Sequence, residues 1–293
     1  MALLEVKDLH VRFDTPEGDV QAVRGLDFTL EPGEGLAIVG ESGSGKSQAM
    51  LAILGLLAEN GSASGQALFR GKDLMAMGRH ALNRHRGRDI AMIFQDPMTS
   101  LNPYLSIERQ MVEVAMHHQG LSRREARVHA IEMLRAVRIP DPERRVRQYP
   151  HQFSGGMRQR ILIAMGLLCE PDILIADEPT TALDVTVQVQ IARLVDEVAS
   201  RSNMSAIMIT HDLGVVAGTS DKILVMYAGQ AVEFGTVQQV YSDPQHPYTK
   251  GLIDSVPRLD REEHDLHAIP GNPPNLLSLP EGCVFRGRCT RAF

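Results

Sequence analysis

The sequence predicts an α/β fold built on a mostly parallel sheet. Short apolar runs, which are typical of buried strands, alternate with longer stretches of helical periodicity along most of the 293 residues. Alternation at this spacing indicates parallel strands whose connecting helices cover both faces of the sheet. The strands predicted for this sheet are residues 36–39, 90–94, 173–176, 206–210 and 222–226.

A phosphate-binding motif directly follows the first of these strands. Residues 40–47 fit the pattern G-x-x-x-x-G-K-[ST] and precede a predicted helix at 49–57. Glycines let backbone N–H groups approach phosphate oxygens, and the helix start adds the positive end of its dipole. Lys46 can reach the β- and γ-phosphates of a nucleotide, and the Ser47 hydroxyl can bind Mg²⁺. The candidate nucleotide-binding residues of the motif are Gly40, Ser42, Gly43, Gly45, Lys46 and Ser47.

Polar residues stand at the ends of three other predicted strands. At the carboxyl ends of strands in an open α/β sheet, such residues face the ligand crevice. We expect Asp177 to help hold Mg²⁺ and Glu178 to orient or deprotonate the attacking water, because Mg²⁺ prefers oxygen ligands. Gln95 and His211 hold equivalent positions, but a single polar residue at a strand end is more often structural.

Residues 97–160 change to helical periodicity, which predicts an inserted helical region. Ser122 and Glu125 have the spacing of a capping box that starts one of its helices. Ser154 and Gly156 open a later helix, whose N-terminus is a second potential anion site. A second site in a chain that already has a phosphate loop suggests nucleotide shared between two subunits. The alternative is that Ser154 is only an N-cap beside glycines in a tight turn.

An antiparallel sheet is predicted at the N-terminal end, and an irregular segment at the C-terminal end. Phe13 can stack on a purine ring, although an aromatic residue in a strand is more often part of the core. After residue 240 the chain becomes proline-rich, so we interpret 241–293 as a partly irregular appendage to a nucleotide-binding domain at 1–240. The N-terminal elements are predicted strands at 6–13, 22–30 and 66–70, with turns at 16–19 and 60–65.

Composition disfavours several classes of protein. The net charge of −6 disfavours a general nucleic-acid binder, which needs a basic surface for phosphate contacts. The chain has no run of apolar residues long enough to span a membrane by itself, and its N-terminus lacks the pattern of a signal peptide. A total of 3 cysteines argues against a disulfide scaffold and fits a reducing cytosol.

Taken in order, these motifs resemble those of the ATPase subunit of an ATP-binding-cassette (ABC) transporter over about residues 3–240. The resemblance implies an ABC ATPase core of the P-loop NTPase type, with ATP and Mg²⁺ as cofactors. The ordered set comprises the phosphate loop, Gln95, residues 153–157, residues 173–178, residues 182–184 and His211. The catalytic residues that it implies are Glu178, His211, Gln95 and Lys46, and the Mg²⁺ ligands are Ser47, Gln95 and Asp177.

The resemblance also implies roles at the edges of the nucleotide. Phe13 would stack on adenine, and His211 would contact the γ-phosphate. Ser154 and Gly156 would clasp the γ-phosphate held by a partner subunit, and Asp184 would face that partner. The nucleotide would therefore lie between two ATPase subunits.

Three further stretches resemble ATPases of oligopeptide and dipeptide importers. They are residues 93–103, 245–252 and 282–289, and residues 117–127 are similar to subunits for D,D-dipeptides. Nickel and glutathione importers share much of this pattern and remain alternative identities. A non-transport ABC ATPase of DNA repair or ribosome function is disfavoured, because the chain has neither a long coiled coil between its motifs nor two motif sets. A binding subunit without turnover is disfavoured by Glu178.

The family resemblance implies the partners and the location of the chain. The partners would be two integral-membrane permease subunits, a second homologous ATPase that forms a heterodimer, and indirectly a periplasmic or extracellular substrate-binding protein. Nucleic acid is not an expected partner. The chain would lie at the cytoplasmic face of the bacterial inner membrane as a peripheral subunit.

Two cysteines stand out near the C-terminal end. Cys283 and Cys289 are either two ordinary thiols or partial ligands of an iron–sulfur cluster, which needs about four ligands. In peptide-importer ATPases a similar pair begins a longer cysteine series associated with such a cluster. We expect this chain to carry no intact cluster, a longer chain to carry one, and Cys169 to behave as a small buried hydrophobe.

Overall fold

The computed structural model describes residues 2–179, 185–256 and 269–292, and the chain divides into two units. Unit 1 contains Met1–Leu82 and Ile209–Phe293, and unit 2 contains Asn83–Met208. Unit 1 is therefore made from both ends of the chain and unit 2 from its middle.

The elements follow one another in this order. The first part of unit 1 has β1 (Leu4–Thr15), β2 (Gly18–Leu30), β3 (Gly35–Val39), α1 (Lys46–Ile53), β4 (Gly61–Phe69), β5 (Lys72–Asp73) and α2 (Arg79–Asn83), which reaches the boundary. Unit 2 has β6 (Ile90–Ile93), α3 (Pro97–Ser100), α4 (Ile107–Gln119), α5 (Arg123–Ala136), α6 (Pro142–Arg145), α7 (Gly155–Leu167), β7 (Ile173–Asp177), α8 (Val185–Ser202) and β8 (Ser205–Thr210), which crosses the boundary. The second part of unit 1 has α9 (Leu213–Val216), β9 (Lys222–Tyr227), β10 (Gln230–Thr236), α10 (Val237–Ser242) and α11 (Pro247–Asp254). Short 3₁₀ helices lie at Pro150–Gln152 and Arg286–Arg288.

The strands form the two kinds of sheet that the sequence predicts. In unit 1, an antiparallel sheet has the order β2-β1-β4-β5, and β3 pairs in parallel with β9, which pairs antiparallel with β10. In unit 2, β8, β7 and β6 lie side by side, and β7 and β6 are parallel. The mixed α/β architecture with a mostly parallel component is confirmed.

Several predicted boundaries in unit 1 are wrong. Residues 61–65 of the predicted small-residue turn at 60–65 are strand, because β4 pairs with β1 from Gly61, which lies opposite Phe13. A Cβ atom at Gly61 would lie 2.7 Å from the Phe13 ring, so the small residue serves the strand pairing. The helix predicted at 49–57 begins earlier and ends earlier, at Lys46–Ile53. Strand β10 has no counterpart among the predictions.

The helices of unit 2 begin where their sequences place capping residues. The hydroxyls of Ser106 and Ser122 accept hydrogen bonds from the backbone N–H groups of Arg109 and Glu125. At Ser122 the reciprocal bond from the Glu125 side chain is also present, so the predicted capping box is confirmed. Among the residues that the structure describes, no helix has the combined length and apolar character that crossing a bilayer requires.

The hydrophobic core of unit 1 includes described residues of the segment 241–293. Tyr248 is 0% exposed and Phe285 is 3% exposed, and both belong to one buried cluster with the side chains of β3 and β9. The rings of Tyr227, Tyr248 and Phe285 pack against each other with centroids 4.6 to 5.5 Å apart. Large aromatic side chains bury much apolar surface. The segment that we interpreted as an appendage is thus anchored in the core beside the strand that leads to the phosphate loop.

Candidate functional site

The phosphate loop connects β3 to α1, and two of its glycines are required by close backbone approach. A Cβ atom at Gly40 would lie 2.2 Å from the carbonyl oxygen of Met226, and one at Gly45 would lie 2.2 Å from that of Ala22. Gly45 also has a φ of +96°, in the left-handed region that other residues avoid. The spacing of glycines in the motif therefore follows from the path of the backbone.

Lys46 is the first residue of α1 and is only 4% exposed. Its ammonium group donates hydrogen bonds to the carbonyl oxygens of Gly40, at 2.7 Å, and Glu41, at 2.9 Å. These bonds compensate the cation for the water that it loses on burial. The loop thus holds a positive charge at a helix start, where charge and dipole both attract an anion.

The other predicted nucleotide-binding residues of unit 1 remain accessible to different degrees. The Phe13 ring is not fully buried, in contrast to neighbouring Val11, which is 0% exposed. A partly accessible ring can still stack on a base, so its strand position does not confine it to the core. Ser42, Gly43 and His211 are exposed, and Phe13 and Ser47 are half-buried.

In unit 2, the structure brings Gln95 and Glu178 into contact. Both follow strands of the parallel pair β6 and β7, so their side chains leave the same sheet edge. The Gln95 amide Nε2 donates a hydrogen bond to the Glu178 carboxylate at 3.1 Å. Glu178 has a φ of +42°, a strained value for a residue with a side chain, and the adjacent Asp177 is 5% exposed. Strained backbone and buried carboxylate at one strand end are typical of catalytic sites.

Ser154 stands at the N-cap position of α7 with an exposed side chain. Within the described part of the chain, its hydroxyl makes no hydrogen bond that caps the helix. Gly155 and Gly156 form the first turn of the helix itself and do not form a separate tight turn. Ser154 thus occupies the N-cap position without the capping hydrogen bond that the structural alternative would provide.

The predicted site residues fall into a unit 1 set and a unit 2 set. Unit 1 joins Lys46 to the loop carbonyls, and unit 2 joins Gln95 to Glu178. The predicted partner-facing residue Asp184 lies outside the described residues.

The three cysteines have free thiols. Cys283 is exposed and Cys289 is half-buried, and Cys169 is half-buried rather than fully buried. Burial raises the pKa of the Cys169 thiol, which disfavours its reactive thiolate form. Over residues 2–179, 185–256 and 269–292, there is no group of three or more His, Cys, Asp or Glu residues that could hold a metal ion.

Two residues for which the sequence predicts no role, Arg288 and Tyr248, contact the phosphate loop through Glu41. The Glu41 carboxylate accepts two hydrogen bonds from the Arg288 guanidinium, at 2.7 and 2.9 Å. The Tyr248 hydroxyl accepts a hydrogen bond from the Glu41 backbone N–H at 2.9 Å. The motif allows any residue at position 41, and its partners lie more than 200 positions away, so no local pattern indicates these contacts.

Comparison with known families identifies two matching regions. Residues 23–181 match the ABC transporter family. Residues 232–293 match the C-terminal region of oligopeptide/dipeptide transporters. The two regions together contain the phosphate loop, the acidic strand end and the segment that reaches Glu41.

Individual relatives agree with this result. The chain is 57% identical over 291 residues to the oligopeptide transport ATP-binding protein OppD of Salmonella typhimurium, covering 99% of this chain and 87% of the relative. It is 54% identical over 289 residues to the dipeptide transport ATP-binding protein DppD of Bacillus subtilis, covering 98% of this chain and 86% of the relative.

Solved structures share the fold. The ABC transporter component cbiO1 of Clostridium perfringens is 29% identical with a TM-score of 0.69, covering 83% of this chain and 91% of that chain. A dimeric ATP-binding cassette bound to ADP and Pi has a TM-score of 0.71 at 24% identity, covering 80% of this chain and 98% of that chain, and shows the likeness of fold alone. The chain therefore belongs to the ABC transporter family and is an ATPase of its oligopeptide/dipeptide group.

Proposed function

We propose that this ATPase powers the import of oligopeptides or dipeptides across the bacterial cell membrane. The observation that carries the proposal is the match of residues 232–293 to the C-terminal region of oligopeptide/dipeptide transporters. Relatives named for oligopeptide and dipeptide transport support the same cargo class. Nickel and glutathione are the alternative cargoes, and a D,D-dipeptide is the narrowest peptide cargo that the sequence suggests.

The catalytic roles follow from positioning and charge neutralisation. Lys46 binds the β- and γ-phosphates, and His211 contacts the γ-phosphate. Glu178 orients or deprotonates the attacking water. Gln95 holds the Glu178 carboxylate by its amide hydrogen bond, which fixes the direction in which that base points.

Mg²⁺ fits the donors that the chain offers. The proposed ligands are the Ser47 hydroxyl, the Gln95 amide oxygen and the Asp177 carboxylate, all of them oxygen atoms of the kind that Mg²⁺ prefers. Mg²⁺ commonly takes one or two protein carboxylates and completes its shell with phosphate and water. When bound, the ion neutralises charge that develops on the transferred phosphoryl group.

A second ATPase subunit completes the site in this proposal. Ser154 and Gly156 bind the γ-phosphate held by that partner, and Asp184 faces it. The exposed Ser154 side chain, not engaged as a helix cap in the described structure, supports a role outside its own helix. The resemblance to peptide importers favours a related but different second chain.

Residues 98–104, which follow Gln95, are proposed to border the groove that receives a cytoplasmic helix of a permease subunit. They border an open groove of about 480 Å³ in unit 2, and Tyr104 is 88% exposed. The groove is lined by Asn102, Leu105, Gln110, Glu113, Val114, His117 and His118. A large exposed aromatic residue beside a groove suits a docking surface, because its apolar area becomes buried on binding.

Cysteine cross-linking in membranes tests this docking surface. In a chain whose three native cysteines are replaced, a cysteine at Thr99 or Ser100 should capture a permease subunit. The control is a cysteine at Val128, which is 50% exposed on α5 of the same unit. Equal capture from Val128, or capture only from residues 241–293, would place the docking surface elsewhere.

Uptake measurements test the cargo. Cells that lack this chain should lose uptake of labelled di- and tripeptides, and the wild-type chain should restore it. Lys46→Ala should not restore it, since the loop then loses its cation. Normal peptide uptake together with lost nickel or glutathione uptake would assign one of the alternative cargoes.

Identification of the chains that co-purify from membranes would show whether two permease subunits and a second ATPase are attached.

A further inference from the structure

Glu41, the first variable residue of the phosphate loop, is held at three of its groups. Its carboxylate pairs with Arg288, its backbone N–H donates to the Tyr248 hydroxyl, and its carbonyl accepts from Lys46 at 2.9 Å. Lys46 is the cation of the loop, so a single residue links residues of the C-terminal part of the chain to the group that binds phosphate.

The ion pair between Arg288 and Glu41 has the geometry of a strong contact. Two parallel N–H···O bonds, at 2.7 and 2.9 Å, join the guanidinium to both carboxylate oxygens. The Arg288 side chain is 7% exposed and that of Glu41 is 28% exposed, so solvent screens the pair less than it screens a surface pair. The hydrogen bonds to Glu41 raise the pKa of Arg288, and the guanidinium stays charged. Bidentate charged pairs are directional as well as strong.

Arg288 itself is fixed by the residues around it. Its Nε donates to the carbonyl of Pro270 at 2.9 Å, and one Nη donates to the carbonyl of Ile269 at 3.3 Å. Its guanidinium lies 5.8 Å from the ring centroid of Tyr227 and 6.0 Å from that of Phe285. The arginine is therefore an anchored group that can position the loop, because its own rotamer is held.

Tyr248 provides the second anchor. Its ring is fully buried between Tyr227 and Phe285, and burial raises the pKa of its hydroxyl, which stays protonated. The hydroxyl oxygen accepts the Glu41 N–H at 2.9 Å. The next loop residues, Ser42 and Gly43, are exposed. Arg288 and Tyr248 thus hold the loop at Glu41, directly before its exposed residues.

We propose that the C-terminal segment 269–292, with Tyr248 of α11, positions the phosphate loop for nucleotide through Glu41. Arg288 and Tyr248 are positioning residues, since they act through Glu41 on Lys46 and the loop backbone. An ordered loop loses less conformational freedom on binding, so these contacts increase nucleotide affinity. The inference rests on nucleotide binding by the loop and does not depend on the cargo.

Nucleotide titration of the full chain tests the proposal. Arg288→Gln should raise the Kd for a fluorescent ATP analogue about tenfold, because a charged bidentate contact is lost. Arg288→Lys should recover only part of the affinity, since lysine keeps the charge but not the paired bonds. The matched control is Arg286→Gln, an exposed arginine of the same 3₁₀ helix, which should change the Kd less than twofold.

A double-mutant comparison separates positioning from general destabilisation. Glu41→Gln and Arg288→Gln should each weaken binding, and the double variant should bind no more weakly than either. In the assembled transporter, KM for ATP should rise while kcat at saturating ATP is retained. Wild-type Kd in Arg288→Gln, or additive losses in the double variant, would overturn the proposal.

Tyr248→Phe keeps the inference testable if the arginine variants fail to fold. It retains the buried ring and removes only the hydroxyl that accepts the Glu41 N–H. It should raise the Kd for the ATP analogue about threefold without lowering the unfolding temperature in the absence of nucleotide by more than a few degrees. An unchanged Kd in this variant would also overturn the proposal, whereas a wild-type chain that binds no ATP analogue would instead contradict nucleotide binding by the loop.

Discussion

The chain has two glycine-containing helix starts that could bind phosphate, and they use their own polar groups in opposite ways. At the start of α1, Lys46 is 4% exposed and bonds to two loop carbonyls. At the start of α7, Ser154 is exposed, and its hydroxyl does not cap the helix in the described structure. The first helix start is organised from within the chain, whereas the second presents its polar groups outward.

The difference has a physical consequence for assembly. A site whose loop is already ordered by contacts within its own chain can bind nucleotide without a partner, because binding then costs little further conformational entropy. A helix start with an exposed serine at its N-cap can gain an anion from another molecule. We therefore expect the loop at Lys46 to bind nucleotide in the isolated chain, and the helix start at Ser154 to matter only in the assembled transporter.

The largest expected effect concerns Glu178, the proposed general base for hydrolysis. Glu178→Gln should slow ATP turnover by a factor on the order of 10² or more, because a positioned general base contributes that much. Binding of ATP should persist, since the loop at Lys46 is untouched. Single-turnover hydrolysis in the assembled transporter, beside equilibrium binding to the isolated chain, measures both quantities.

Lys46→Ala is the matched control for that variant, because it should remove binding as well as turnover. Turnover near the wild-type rate in Glu178→Gln would remove Glu178 from the mechanism. Loss of binding in Glu178→Gln would mean that the loop is less independent of unit 2 than the comparison of the two helix starts implies.

A smaller effect is expected at the second helix start. Ser154→Ala should leave the affinity of the isolated chain for ATP within about twofold of wild type, yet lower turnover of the assembled transporter about tenfold, as loss of one charge-assisted hydrogen bond would. Steady-state ATPase assays with and without the second ATPase chain measure the contrast. Weakened ATP binding in the isolated chain would show that Ser154 serves its own subunit.

Local patterns explain which of these features were predictable from the sequence. The contact between Gln95 and Glu178 follows from two apolar runs that each end in a polar residue, because adjacent parallel strands bring their ends together. The capping box at Ser122 needs only residues three apart. Such signals lie within a few positions of the residue that they concern.

Long-range contacts have no comparable local pattern in the sequence. Glu41 and Arg288 are 247 positions apart. The phosphate motif does not require an acid at position 41, and the proline-rich C-terminal segment has no pattern that requires an arginine at position 288. The strand that begins at Gly61 was likewise not predicted, because Gly61 lies against the Phe13 ring of the paired strand β1 and does not form a turn. Tertiary packing overrides local preference in both cases.

The smallest expected effect compares two serines that occupy the same position on two helices of unit 2. Ser122 caps α5 by accepting the Glu125 N–H, and Ser154 stands at the N-cap of α7 without such a bond among the described residues. Ser122→Ala should lower the free energy of unfolding by about 1 kcal/mol, the usual value of a lost N-cap. Ser154→Ala should change the free energy of unfolding by less than about half of that, although it is the variant expected to impair turnover. Thermal unfolding of each full chain, set beside its ATPase rate, gives the two profiles. If Ser154→Ala destabilises the chain as much as Ser122→Ala does, Ser154 is a structural cap in solution, and its effect on turnover would follow from a weakened helix rather than from phosphate held by a partner subunit.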